Sequence, residues 1–313
     1  MGMYLARRFT LLVPTLLLIS IVVFTLMRFI PGDAVQIMVE QRYGDSEAVV
    51  RRQLGLDRPL IPQYLTWMSG VVRGDFGRSI WNHRPIMNDL ILRGQVTIEI
   101  AFIALLLILL IGIPAGIISA IRPDSIADYA VRVVATLGLA VPVFWLGTLA
   151  LVLPSIWFHY SPPVGYVALL QDPVRNLQKL AVPAVLLAIS GSAASLRMMR
   201  ASMIEVLHQD YVRTARAKGL TERRVLSRHA VRNALIPTIT LIGNQLPFLI
   251  GGSVIIETLF SIPGLGFFLF DSINRRDYPV VQAVNLALAT VVLLVNLAVD
   301  VGYGLLDPRI RFR

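Results

Sequence analysis

Ser190, Gly191, Ser192 and Ser195 stand together in an apolar run and supply the residue types of a hydrolase nucleophile. A hydroxyl needs a neighbouring base to react. All four histidines, His83, His159, His208 and His229, fall outside the apolar runs. The small residues of AISGSAAS (188–195) point instead to close helix packing. No GxxxxGK[ST] loop is present to cradle phosphates, so the chain is not expected to bind ATP in that way. With no cysteine there is no disulfide and no thiolate metal site, and no metal centre is expected. The ionisable groups in or beside apolar runs are Arg28, Glu99, Glu257 and Asp300. A charge at a lipid-embedded helix centre costs at least about 2.5 kcal/mol, so these groups should face protein or water. Arg28 and Glu99 are placed to pair. Glu257 lies at one end of a run carrying Asn244, Gln245, Pro247, Gly251 and Gly252, a polar and kinkable list for a lipid-facing helix. Asn244, Gln245, Gly251 and Glu257 are therefore the candidates for lining a pathway. Asn296 and Asp300, four residues apart, suit a polar contact between helices.

The elements that carry these residues are apolar. Of 313 residues, 56% are hydrophobic and 15% charged, and the mean hydropathy is +0.69. Uncharged runs cover 9–27, 100–121, 133–158, 180–196, 233–256 and 278–299. Each is long enough to cross a hydrocarbon core of about 30 Å as a helix. Six transmembrane helices in an all-α membrane protein are predicted, because the alternating pattern of barrel strands is absent. The first run exceeds the length of a signal-peptide core and is not followed by a small-x-small cleavage site, so it is expected to stay as a helix.

Basic residues decide orientation. With both termini inside, the inner segments hold sixteen of the 29, and the short outer loops only Arg175, Lys179, Arg275 and Arg276. The net charge of +10 is thereby an orientation signal. It does not form an aromatic-interleaved basic face, and nucleic acid is not an expected partner. Segment 31–95 mixes acidic and basic residues with breakers and is predicted to be a small outer subdomain, with helices over AVVRRQLGL (48–56) and YLTWMSGVV (64–72). The organisation expected is 1–95, a helix plus outer subdomain, and 96–313, a core of five helices. FSIPGLGFFLF (260–270) is apolar but broken, too short to cross, and reads as re-entrant or interfacial.

The largest inner feature is 197–235, with DYVRTARAKGL at 210–220. Ser202 and Glu205 match a capping box that would start a helix, and Gly219 before Thr221 reads as a helix stop and a new N-cap. Two short helices joined at a glycine turn are predicted. Tyr211, Val212, Ala215, Ala217 and Leu220 place small and apolar atoms among the charges, a surface suited to a protein groove.

DYVRTARAKGL with RNALIP (232–237), FSIPGLG (260–266), RRDYPVVQ (275–282), NLAVDVGYGLLDPRIR (296–311), IPGDAV (30–35) and LGLDRPLIPQYL (54–65) resemble the inner-membrane permease subunits of ATP-binding-cassette importers for dipeptides, oligopeptides, glutathione and nickel. The likeness runs through the whole chain in order. It implies a type I importer permease in a bacterial inner membrane, one half of a pore, catalytically inactive itself. The implied partners are a homologous second permease, two cytoplasmic ATPase subunits that hold ATP and Mg, an external substrate-binding protein, and membrane lipid. Asp210, Tyr211, Arg213, Thr214, Ala215, Arg216, Ala217, Lys218, Gly219 and Leu220 then correspond to the coupling helix and turn that enter an ATPase cleft. The general importer motif EAA-x3-G has a glutamate where Arg213 stands, and Pro237 lies further from Gly219 than in that motif. Arg275, Arg276 and Asp277 on the outer face are candidates for docking the binding protein, with pairing inside the outer loop as the alternative. The rival class is an ion-gradient-driven secondary transporter or channel. It lacks buried acids at mid-membrane depth for a proton relay.

Overall fold

The computed structural model describes residues 2–29, 57–160, 163 and 165–306. Among them every regular element is a helix, and strand pairing is limited to one isolated bridge between Arg78 and Pro85. In chain order the helices are α1 (Gly2–Phe29), α2 (Leu60–Val72), α3 (Ile86–Ile121), α4 (Ile126–Ala140), α5 (Val143–Phe158), α6 (Pro173–Leu207), α7 (Asp210–Ala217), α8 (Glu222–Leu259), α9 (Leu265–Asn274) and α10 (Tyr278–Leu306). π-helical turns interrupt α3 at Ile108–Gly112 and α8 at Val225–Val231.

α3, α6, α8 and α10 are long and apolar enough to cross a membrane. Four of the expected runs, 100–121, 180–196, 233–256 and 278–299, lie inside them, and 9–27 lies inside α1, itself 28 residues long. The run 133–158 does not form one helix. It breaks between α4 and α5, which are bent by 99°. Val141 and Pro142 are both extended there, with ψ of 125° and 135°. A proline pushes the residue before it out of the helical region and cannot donate to the preceding turn, so Pro142 ends the helix. The predicted helix at 48–56 lies outside the described residues. YLTWMSGVV falls within α2. The expected helix start at Ser202 is absent, because Ser202 is buried inside an unbroken α6. Of the two short helices expected around Gly219, the second is the first turn of α8, which runs on to Leu259. FSIPGLGFFLF becomes the turn before α9 and most of α9, a ten-residue helix.

The chain divides into two compact units, Met1–Val96 with Pro263–Leu297, and Thr97–Ile262 with the residues from Ala298. In the first, Ile86 and Leu90 of α3 pack with Leu265 and Phe268 of α9 and with Val280, Ala283 and Val284 of α10. In the second, α6 is the central helix: 61% of its most apolar window is buried, against 33% and 28% for the corresponding windows of α3 and α8. Asp172 caps its N-terminus by accepting from the Arg175 backbone N–H, with Pro173 at the first helical position. α3 approaches α6 through Gly112 and Gly116. A Cβ on Gly112 would lie 2.9 Å from the Ser192 carbonyl oxygen, and one on Gly116 would lie 2.7 Å from that of Leu196. Small residues four apart let helix backbones touch, which is how dispersion contacts and close polar contacts hold helices in lipid.

Candidate functional site

α7 begins at Asp210, three residues after α6 ends, and its amphipathicity is short-range. Val212 and Ala215 are buried against Val225, with Val206 and Leu220 packed beside them. Asp210, Tyr211, Arg213, Thr214, Arg216, Ala217 and Lys218 are exposed. At about 100° per residue, Asp210, Thr214 and Ala217 share the middle of the outward face. That face therefore offers small atoms at its centre and charge at its edges. The residues proposed from sequence as one partner-facing surface divide: Val212, Ala215 and Leu220 anchor α7, and Tyr211 and Ala217 stay outside.

The end of α7 is a Schellman motif. The Gly219 N–H donates to the Arg216 carbonyl at 2.9 Å and the Leu220 N–H to the Ala215 carbonyl at 3.4 Å. Gly219 takes φ +78°, where a Cβ would strain the backbone by about 1–2 kcal/mol. Leu220, the next residue, supplies the apolar contact back to the helix. Thr221 then sits in an extended conformation as the N-cap of α8. Two side-chain links fix the turn on its base. Arg216 donates to both Glu222 oxygens, at 3.1 and 2.8 Å, which holds the guanidinium protonated above its already high range. Asn233 Nδ2 donates to the Tyr211 hydroxyl at 2.9 Å and to the His229 carbonyl at 2.9 Å. Arg213 reaches Asp210 at 3.5 Å across a solvated face. The result is a short knuckle fastened to the two long helices it joins.

A second ionic knot in the same unit escapes sequence reading. Asp128 of α4, fully buried, accepts from Arg200 Nε at 2.8 Å and Arg200 Nη2 at 2.9 Å, from the Ser119 hydroxyl, and from the Asp124 N–H at 3.0 Å. Ser125 accepts from the Asp128 N–H and caps α4. Arg132 Nη2 lies 3.5 Å from Asp128, and its guanidinium is 4.3 Å from the centre of the Tyr129 ring. These bonds tie the α3–α4 turn to α6, seven residues before α6 ends. The local signal, Ser125 three residues before Asp128, was available; the partner Arg200 is 72 residues away.

The pathway candidates fall on different faces of α8. Asn244 and Gly251 are exposed, in line with exposed Phe248 and Ile255, and no atom lies within 4 Å of a Cβ placed on Gly251. Gln245 turns inward: its Oε1 is buried without a hydrogen-bond partner, 3.0 Å from where a Gly191 Cβ would sit. Glu257 is fully buried and accepts from the Thr97 hydroxyl at 2.8 Å. Glu99 accepts from Asn176 Nδ2 at 2.6 Å and from the Tyr166 hydroxyl; the Arg28 side chain lies outside the described residues. Tyr166 in the SPPVGY loop is thus an anchor of that loop.

In the first unit, Arg275 is exposed and pairs with Asp271 at 2.9 Å, and Arg276 holds φ +54°. Asp277 is only 3% exposed. It accepts from the Ser79 hydroxyl at 2.5 Å and the Ile80 N–H at 3.2 Å, and burial pushes its carboxyl above the usual range. Trp81 Nε1 donates to the Arg275 carbonyl at 2.9 Å. Asp277 is thus a clamp on the 79–81 loop, whereas Arg275 presents charge to solvent.

Comparison with known proteins returns one family twice. Residues 112–312 match the Binding-protein-dependent transport system inner membrane component, and residues 1–101 match the N-terminal region of such membrane components. The dipeptide transport system permease protein DppB of Escherichia coli K12 is 38% identical, covering 99% of each chain. The oligopeptide transport system permease protein AppB of Bacillus subtilis is 39% identical, covering 100% of each. Among solved structures, a chain of the inward-facing MetNI methionine ABC transporter shares the fold, with a TM-score of 0.54 at 19% identity over 71% of this chain and 97% of that one. A chain of an amino acid ABC transporter gives 0.52 at 16% identity over 71% and 94%.

Proposed function

The chain belongs to the binding-protein-dependent transport inner-membrane components, and on that premise we propose that it forms half of the translocation pathway of an ATP-driven importer of dipeptides or oligopeptides. It is a multi-pass inner-membrane permease subunit of an ATP-binding-cassette importer. The observation that carries the proposed mechanism is the knuckle α7–Gly219, exposed on its outer face and fastened to α6 and α8 on its inner one.

In this reading the chain crosses the membrane six times with both ends cytoplasmic, α1 being the first crossing and α4–α5 one bent crossing. A homologous permease completes the pore, and an external binding protein delivers peptide, with Arg275 and Arg276 in its docking surface. Two ATPase subunits bind ATP and Mg, and this chain binds neither. Closure of the ATPase pair moves the permease only if the contact is stiff, because an equilibrium between two bundle states shifts by no more than the differential contact energy. Asp210, Thr214 and Ala217 enter the ATPase cleft, and the Tyr211–Asn233 and Arg216–Glu222 links pass the displacement to α8. Asn244 and Gly251 on the open face of α8 then line the path, while Gln245 and Glu257 fix that helix against its neighbours. The peptide-transporting relatives support the substrate class.

The test is vesicle uptake by the chain reconstituted with the second permease, the ATPase subunits and the binding protein. ATP-dependent peptide uptake is expected. Uptake that continues without the ATPase subunits would establish the ion-gradient reading instead.

A further inference from the structure

α2 has three distinct faces. At about 100° per residue, Gln63, Tyr64, Trp67 and Val71 fall within one arc and are half-buried. Pro62, Thr66, Ser69 and the C-cap Arg73 form a second, exposed and largely polar. Ile61, Leu65 and Val72 form the third; they are 73%, 59% and 80% exposed. No charged residue occurs anywhere in Leu60–Val72. An apolar stripe of this size is not expected to face water on a soluble subdomain.

Its position relative to α1 indicates what covers it. The Tyr64 hydroxyl is 2.8 Å from that of Ser20, which is completely buried. Phe24 stacks edge-on to Tyr64 with ring centres 5.4 Å apart, and lies 6.0 Å from Trp67. Ser20 is seven residues short of the end of the uncharged run 9–27, about 10 Å below the hydrocarbon boundary at 1.5 Å per residue. Tyr64 therefore reaches down into the apolar part of the span, and α2 lies beside its last turns. At 13 residues, α2 extends only about 20 Å and cannot cross.

We infer that α2 is a non-spanning helix embedded in the leaflet at the C-terminal end of α1, and that its partner is phospholipid. Ile61, Leu65 and Val72 face acyl chains, Thr66, Ser69 and Arg73 face headgroups and water, and Tyr64 and Trp67 hold the helix against α1. The segment between α1 and α3 is thus anchored to the bilayer surface, whatever its role in docking a binding protein. This inference needs α1 to span the membrane and is independent of the coupling role of α7.

The chain has no cysteine, so single thiols at Ile61, Leu65 and Thr66 can carry nitroxide labels in the assembled importer, reconstituted in vesicles of phosphatidylethanolamine and phosphatidylglycerol. The ratio of collisions with oxygen to collisions with a water-soluble nickel chelate is expected to be several-fold higher at Ile61→Cys and Leu65→Cys than at Thr66→Cys. Equal ratios, or shielding of Ile61 and Leu65 from both quenchers by a protein partner, would overturn the assignment. If labelling blocks assembly, Leu65→Trp and Thr66→Trp give the same reading through brominated acyl chains. Stronger quenching of the added tryptophan at 65 is expected, and no difference would overturn it.

Discussion

The Arg200–Asp128 and Arg216–Glu222 pairs share one geometry, a guanidinium forked onto a carboxylate at 2.8–3.1 Å. Their surroundings differ. The Asp128 side chain is completely shielded, whereas those of Arg216 and Glu222 are 42% and 57% exposed. In water the attraction between two such charges is nearly cancelled by solvent and salt; away from water, either partner left alone is very costly. The buried fork therefore fixes which helices meet, α3 and α4 against α6. The exposed fork sets only the attitude of α7 on a base that apolar packing already provides.

The first way to break this comparison is Arg200→Met. Asp128, keeping only Arg132 at 3.5 Å as a charged partner, should then cost about 3 kcal/mol, seen as loss of folded protein and a fall in thermal midpoint in detergent. Asp128→Asn added to Arg200→Met should recover part of the loss. Equal stability of Arg200→Met and the parent would remove the distinction. Gly219→Val ranks next. A Cβ at this position meets no atom within 4 Å, so the expected effect is the backbone strain of about 1–2 kcal/mol at positive φ. Membrane insertion should survive and ATP-driven uptake should fail, whereas Gly219→Asn, which tolerates the left-handed region, should retain more uptake. The smallest effect is expected from Glu222→Gln. An exposed pair contributes about 0.2–1 kcal/mol, so stability should hardly move, and 1 M salt should erase what difference there is. A large, salt-insensitive loss would show the exposed fork to be structural after all.

The same contrast explains what could be read in advance. The Gly219 stop is local chemistry: one residue's φ, two backbone bonds and Leu220, all within six positions. The apolar runs are local too, and five of the six lie inside single helices. Run 133–158 reads as one crossing from its 26 residues; the single Pro142 inside it splits the run into two helices. The Ser202–Glu205 capping pattern failed for the opposite reason. Ser202 continues the buried face of α6 through Met199 and Met203, and packing overrides a cap. Asp128–Arg200, Asp277–Ser79 and Glu99–Tyr166 join residues 67–198 positions apart; nothing in either partner's neighbourhood announces the other. The small residues of AISGSAAS on α6 were legible as a close-packing surface, but their partners on α3, Gly112 and Gly116, were not.

The central claim is that the outward face of α7 is a joint to a separate motor. Ala217→Cys, on a chain without other cysteines, tests it directly when a short thiol–amine cross-linker is applied to the assembled importer. The adduct is expected to carry an ATPase subunit, with yield that changes between ATP-bound and nucleotide-free states, while the same label at Ser69→Cys gives none. A thiol at 217 that stays open to water-soluble maleimide in the full assembly, and joins no ATPase subunit in either state, would contradict the account.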